Sequence, residues 1–129
     1  MRTDLQSLLW GRVALYGLLT EAILLVIFIV GLNVGMPAGA QTTIVVAGSF
    51  VLPLWFATIL GRRLRGRFVL HGLLIGGAAF AIYMAMYAVG RVFQPGAGPL
   101  PVAYWIAHAL KFGGGALGGA LGEKRFEVS

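Results

Sequence analysis

The sequence predicts an all-α membrane protein that folds as one antiparallel bundle of four transmembrane helices. Of its 129 residues, 59% are hydrophobic and 11% are charged, whereas about a quarter of the residues in a soluble domain are charged. Four apolar runs are each long enough to cross a bilayer. Arginines and lysines collect at alternate ends of these runs, as in proteins that cross the membrane several times.

The predicted spans follow one another with little chain left over. A spanning helix needs about 20 mostly apolar residues, and each run supplies them. The connections read GMPAGAQ, GRRLRG and QPGAGPLP, and their glycines and prolines break helices and form tight turns. Short connections favour antiparallel neighbours, so we expect a single domain. The spans cover residues 12–33, 42–61, 68–92 and 101–121.

The first connection permits an alternative interpretation of the first span. Its residues Ala38, Gly39 and Ala40 resemble a signal-peptidase site. The apolar run before them is longer than the core of an ordinary signal peptide, and it contains Glu21. We therefore expect the first span to be retained.

The basic residues predict an orientation. By the positive-inside rule, loops rich in lysine and arginine face the cytoplasm. The second loop and both chain ends are basic, whereas the first and third loops contain no lysine and no arginine. We expect both termini on the cytoplasmic side of the membrane. The residues that predict this topology are Arg62, Arg63, Arg65 and Arg67 in the second loop and Lys124 and Arg125 after the fourth span.

Charge and cysteine usage exclude several classes of function. The net charge of +6 would suggest nucleic-acid binding in a soluble protein, but here the basic residues flank the spans. The expected partner is the lipid bilayer, with no nucleic acid. The chain has no cysteine, which excludes disulfides, thiolate metal sites and cysteine nucleophiles.

Two ionisable residues of opposite charge are predicted at similar depth in the membrane. Glu21 lies about ten residues from the inner end of the first span, and Lys111 about ten residues into the fourth, near the midplane at 1.5 Å per residue. Each charge alone costs about 2.5 to 3.5 kcal/mol at the centre of a helix, and pairing is the usual remedy. We expect an ion pair. It could be structural, or it could carry protons or bind a charged substrate, and the two residues could also fail to meet.

Other polar side chains share this part of the bundle. His108 and Tyr104 lie one and two turns outward of Lys111, and Tyr83 of the third span is predicted near the same depth, where its hydroxyl could reach the pair. His71 is predicted near the inner interface, where it can snorkel to water. A haem between His71 and His108 is excluded because their depths differ by roughly 15 Å. We expect no metal and no cofactor.

Glycines and one proline predict how the helices pack. Without a hydrophobic drive between helices in lipid, close approach of small residues supplies much of the contact energy. The fourth span has two overlapping rows of glycines. The third span has a glycine row of its own, so it is the expected packing partner of the fourth. In the second span, a kink is predicted at Pro53. The packing glycines are Gly72 and Gly76 in the third span and Gly114, Gly115, Gly118 and Gly122 in the fourth.

The chain resembles two groups of membrane proteins. A G-R-R turn after the second span, an H-G-L-L-I-G start to the third and a terminal G-G-A-L-G-G-A-L-G are similar to small four-span bacterial inner-membrane proteins of uncharacterised activity. That resemblance, together with the shortness of the chain, implies a fold and a location in the bacterial inner (cytoplasmic) membrane, and it offers no activity. Glu21 in the first of four spans, together with the run AFAIYMAMYAVG, also resembles the small multidrug resistance exporters. That likeness implies that Glu21 is a shared proton and substrate site, lined by Tyr83 or Tyr87.

The sequence bears on three classes of function. An enzyme is disfavoured because the sequence has no serine and histidine constellation, no paired carboxylates and no phosphate-binding loop. A proton-coupled transporter or permeation protein acting as a homo-oligomer is the alternative to the favoured class. That favoured class is a non-catalytic accessory or assembly subunit of a membrane complex, whose partner is another membrane protein subunit or a second copy of the chain.

Overall fold

The computed structural model of the chain describes residues 8–64, 66–96 and 98–128, the last four of these by backbone alone. Within these ranges the secondary structure is helical, with no strand. Arg65 lies outside the described residues, and so does the side chain of Arg125. The four helices are α1 (Trp10–Asn33), α2 (Ala38–Gly61), α3 (Phe68–Phe93) and α4 (Val102–Val128).

Three of these helices are long and apolar enough to cross a membrane, namely α1, α2 and α3. With 24 residues, α1 is about 36 Å long, which exceeds the hydrocarbon thickness of about 30 Å. This confirms the predicted helical membrane fold for the first three spans. The fourth helix is the longest, at 27 residues, but it is less apolar because His108, Lys111 and a run of glycines interrupt it.

The observed helix bounds differ from the predicted spans mainly at two places. α2 begins at Ala38, directly after Pro37, rather than at residue 42. Proline fixes φ near the helical value and donates no hydrogen bond, so it suits the start of a helix. The residues that resemble a signal-peptidase site, Ala38, Gly39 and Ala40, therefore lie in the first turn of α2. At the other end of the chain, α4 continues through the charged residues after 121 and ends at Val128.

The bundle has two distinct ends. We call the end that holds the start of α1, the α2–α3 connection and the last turns of α4 the arginine end. The opposite end, with the α1–α2 and α3–α4 connections, is the hairpin end. α4 lies between α2 and α3, and α1 packs against α3 and α2 from the other side. In the described part of the chain, the backbones of α1 and α4 do not come close, so these helices occupy a diagonal of the bundle.

Glycines bring α4 into main-chain contact with both neighbours. On the α3 side, a Cβ added to Gly115 would overlap the carbonyl group of Gly72, and one added to Gly76 would overlap the carbonyl of Lys111. A second glycine row on α4, formed by Gly114, Gly118 and Gly122, faces α2 instead. The sequence predicted α3 as the partner of the glycine face; in the structure α4 uses separate rows for its two neighbours. The contacts on the α2 side are Gly114 on Phe50, Gly118 on Leu54 and Gly122 on Gly61.

A hydrophobic core fills the arginine end of the bundle. Its largest fully buried apolar side chains are Leu60 of α2 and Ile75 of α3. The other members are smaller or lie at the helix ends, and they complete a layer across α1, α2 and α3. The cluster consists of Val13, Ala57, Leu60, Leu64, Phe68 and Ile75.

The prediction that His71 reaches water is wrong. The side chain is 1% exposed, and Leu9, directly before α1, contacts it at the first turn of α3. The Leu9 amide donates to Nε2 of His71 over 3.1 Å, so Nδ1 carries the proton and donates to the Arg67 carbonyl over 2.8 Å. His71 thereby links Leu9, directly before α1, to the start of α3.

The glycine contacts predict a position-specific loss of stability. Gly115→Ala should destabilise the bundle by about 1–3 kcal/mol or more, because the added methyl group meets the backbone of α3. Gly113→Ala is the matched control on the same helix, since a Cβ there meets nothing within 4 Å. The measurement is the free energy of unfolding in detergent micelles. Equal values for the two variants would contradict the main-chain packing of α4 on α3.

Candidate functional site

A buried ion pair joins the two helices on the diagonal of the bundle. The Nζ atom of Lys111 on α4 donates a hydrogen bond to Oε1 of Glu21 on α1. Lys111 is 2% exposed, and Glu21 is buried as well. Since the backbones of α1 and α4 stay apart in the described chain, these two long side chains bridge the gap between them.

Small residues position the two charged side chains. On α1, Gly17 lies one turn before Glu21, and a Cβ there would be 2.6 Å from the Cβ of Ala78. On α3, Gly76 lets the backbone of α4 approach at Lys111 itself. The close packing of α1 and α4 on opposite sides of α3 therefore fixes the register in which the carboxylate meets the ammonium group.

The ammonium group of Lys111 has two further neighbours. Its Nζ lies 3.2 Å from Nδ1 of His108 and 5.0 Å from the centre of the Tyr83 ring. An aromatic face attracts a cation, and this attraction is strongest where water is excluded. The sequence placed Tyr83 at a depth where its hydroxyl could reach the pair, and the contact that the structure shows is between its ring and the lysine. Anion, imidazole and ring together surround the buried cation.

The imidazole of His108 has a defined tautomer and one unused donor. An ammonium group can only donate, so Nδ1 accepts from Lys111 and Nε2 carries the ring proton. His108 is 4% exposed, and among the described residues its Nε2 has no hydrogen-bond partner. A buried donor without a partner costs about 1–3 kcal/mol. The ring is held by Phe80, Tyr83 and Trp105, with centroids 5.0, 4.4 and 5.9 Å away.

A cavity of about 420 Å³ lies between the four helices in the half of the bundle toward the hairpin end. Its polar floor is formed by Glu21, His108 and Lys111. Its walls are almost entirely apolar or aromatic, and they include Tyr104 on α4, which the sequence placed on the same face as the floor residues. The wall residues nearest the hairpin end are Phe28, Met86, Tyr87, Leu100 and Tyr104.

Pro53 and Ser49 of α2 lie beside this site without joining the ion pair. Pro53 is fully buried, and α2 is helical on both sides of it. A proline removes the hydrogen bond to the carbonyl four residues earlier, which is that of Ser49. The Ser49 hydroxyl donates to the Val45 carbonyl over 2.8 Å, one turn toward the hairpin end, and Ser49 also lines the cavity.

Sequence reasoning missed part of the surroundings of His108. Trp105 precedes His108 by one helical turn, so helical spacing alone could have placed the two rings on one face. Phe80 could not be found in this way, because its contact with His108 depends on the register between α3 and α4. In the described residues, no three histidine or acidic side chains lie close enough together to hold a metal ion.

Comparison with protein-family models, with curated proteins and with solved structures finds no match for this chain. An ion pair, a neutral imidazole and an aromatic wall can stabilise the bundle, and the cavity above them can hold a small molecule.

The ion pair predicts a strong energetic coupling between Glu21 and Lys111. Either Glu21→Gln or Lys111→Met alone should destabilise the protein by about 3–5 kcal/mol, because a buried charge loses its partner. The double variant should be close to the wild type, since no charge is left unpaired. The measurement is a double-mutant cycle of unfolding free energies in detergent micelles.

Lys124→Met is the matched control for this cycle. Lys124 is an exposed lysine on the same helix, so the same substitution should change the unfolding free energy little. Additive effects of the two single variants would show that the buried charges do not depend on each other.

Proposed function

We propose that α4 is a fourth span and that the protein lies in the bacterial inner membrane with both termini in the cytoplasm. Two features support a fourth span: α4 runs beside the apolar helices α2 and α3, and its buried lysine is neutralised by Glu21. The orientation is supported by the arginines of the α2–α3 connection, since basic loops stay in the cytoplasm. The hairpin end then faces outward.

We propose that the chain is a non-catalytic accessory or assembly subunit of a membrane complex. The observation that carries this proposal is the main-chain packing of α4 toward the arginine end. A carrier that exposes its site to each side in turn would have to separate α4 from α2 and α3 in this half of the bundle. Gly115 on Gly72 and Gly122 on Gly61 make that separation costly, because whole backbones are in contact. A rigid bundle of this kind suits a fixed part of an assembly.

The ion pair fits the same role. Each charge already has a partner within the bundle. Glu21 accepts a hydrogen bond from Lys111, and Lys111 also contacts His108 and the Tyr83 ring. A buried pair of this kind specifies how helices pack more than it adds to stability. We infer that the pair holds α1 and α4 at a set distance, with another membrane protein or a second copy of the chain packed outside.

A second candidate function is proton-coupled transport or permeation of a small molecule. The observation that favours it is the cavity, which reaches from the hairpin end of the bundle to Glu21 and Lys111. In this function the carboxylate would exchange its lysine partner for a proton or a substrate. The two candidate functions differ in whether the pair must open.

Purification and flux measurements distinguish the two functions. For the subunit, purification from the native membrane in mild detergent should yield one reproducible partner protein in fixed stoichiometry. The Glu21→Gln, Lys111→Met double variant should retain that partner, because the bundle survives without unpaired charge. Liposomes containing the purified wild type should show no proton-coupled flux above protein-free liposomes.

The opposite pattern supports the transporter. A lone homo-oligomer, with a proton-coupled flux that the double variant loses, would overturn the subunit proposal. The Lys124→Met variant is the control in both assays, because it removes an exposed lysine and leaves the buried pair intact.

The proposed topology has its own test. A reporter that is active only in the cytoplasm should be active when fused after residue 129 and when inserted in the α2–α3 connection. It should be silent when inserted in the α1–α2 connection, which contains no lysine or arginine. A C-terminal reporter that is silent in the cytoplasm would contradict either the fourth span or the orientation.

A further inference from the structure

We propose that the arginine end binds one anionic phospholipid, whose phosphate lies between Arg12 of α1 and Arg63 at the end of α2, with Arg62 beside them. The inference rests on the proposed position of this end at the cytoplasmic membrane surface, and it does not depend on the subunit role. It starts from three guanidinium groups that form no ion pair within the described residues.

The register between α1 and α2 brings Arg12 and Arg63 to nearly one depth. The rings of Tyr16 and Phe56 stack with centroids 5.2 Å apart, so these two residues lie opposite each other on the antiparallel helices. Arg12 lies four residues before Tyr16, and Arg63 lies seven residues after Phe56. Both positions are toward the arginine end, and at 1.5 Å per residue they differ in depth by only about 5 Å.

The two arginines also lie on the facing sides of their helices. On α1, Arg12 shares a face with Tyr16, one turn away. On α2, Phe56, Leu60 and Arg63 follow one another at spacings of four and three, which places them on one face as well. The Arg63 amide donates to the Leu60 carbonyl over 2.8 Å, so the helical turn continues through this residue. The ring stack marks these faces as the ones that meet.

No carboxylate among the described side chains offsets these facing cations. Of the two described acidic side chains, Glu21 is paired with Lys111, and Glu123 lies on α4, which is diagonal to α1. Like charges on facing helices repel each other, so an anion held between Arg12 and Arg63 is favoured. A phosphate group suits this position, because the guanidinium fork matches its oxygen atoms.

The surface deeper in the bilayer suits the acyl chains of a lipid. Arg12 and Leu19 are seven residues apart on α1, and Arg62 and Trp55 are seven residues apart on α2. Each arginine therefore has a large apolar side chain on its own face, about 10 Å further into the bilayer. Leu19 is 36% exposed and Trp55 is 61% exposed. A phospholipid has the same order of groups, with its phosphate at the surface and its chains beneath.

Native mass spectrometry of the delipidated full chain in mild detergent tests the proposal. One probe is phosphatidylglycerol, which has a net negative charge. The other is phosphatidylcholine with the same acyl chains, which is zwitterionic. The first phosphatidylglycerol molecule should bind more than about tenfold more tightly, since each basic residue near an anionic headgroup contributes about fivefold in affinity. Equal affinities for the two lipids would overturn the proposal.

Two matched variants separate a site from the net charge of the protein. Arg63→Gln and Arg91→Gln each remove one positive charge, but Arg91 lies in the last turn of α3, at the hairpin end. Arg63→Gln should weaken phosphatidylglycerol binding about fivefold, and Arg91→Gln should leave it unchanged. Arg63→Lys should keep most of the affinity, because the charge is retained. Equal losses in the two Gln variants would overturn the assignment of the site to the arginine end.

The headgroup alone distinguishes a lipid from a free phosphate ester as the ligand. Glycerophosphoglycerol has the same phosphate and no acyl chain, so it should not displace phosphatidylglycerol even in large excess. Displacement would show that the site takes a soluble phosphate ester, and it would overturn the choice of a lipid. Lipid binding is measured in detergent, whereas the reporter fusions test the topology, so failure of one is distinguishable from failure of the other.

Discussion

The ion pair between Glu21 and Lys111 is the contact on which the arrangement of the bundle depends. It joins the two helices whose backbones stay apart, and it does so between buried side chains. An unpaired charge at this depth would be strongly unfavourable, whereas a close pair with further hydrogen bonding is tolerated. The requirement that the two charges meet therefore restricts how α1 and α4 are placed around α3, and it makes the depth of each helix depend on the other.

The helices pack closely in one half of the bundle and enclose a cavity in the other. In the half toward the arginine end, glycines allow backbone contact and leave no room between α4 and its neighbours, as at Gly115 and Gly122. In the other half α4 carries larger side chains, among them Trp105 and Tyr104, and the helices enclose a cavity instead. The ion pair lies at the boundary. Its polar groups are covered by close-packed backbone on one side and face the cavity on the other.

Composition and charge placement predicted the helical membrane fold, and the structure confirms it for three spans. Counting residues from the ends of the spans also predicted Glu21 and Lys111 at one depth, because rise per residue is constant in a helix. What the sequence could not supply was the register between helices. It predicted α3 as the partner of the glycine face, and it missed that Phe80 packs on His108. It also left His71 at the interface, since nothing local indicates that the Leu9 amide donates to it.

The unused donor of His108 is a consequence of how Lys111 is stabilised. The buried ammonium group takes a carboxylate, a ring face and one imidazole nitrogen, and the bond to that nitrogen forces the ring proton onto the other. The imidazole ring itself packs against the rings of Phe80, Tyr83 and Trp105. Stabilising the lysine within the bundle thus leaves the buried Nε2 proton of His108 without an acceptor among the described residues, and the unmet hydrogen bond falls on a neutral ring, where it costs less than on the cation.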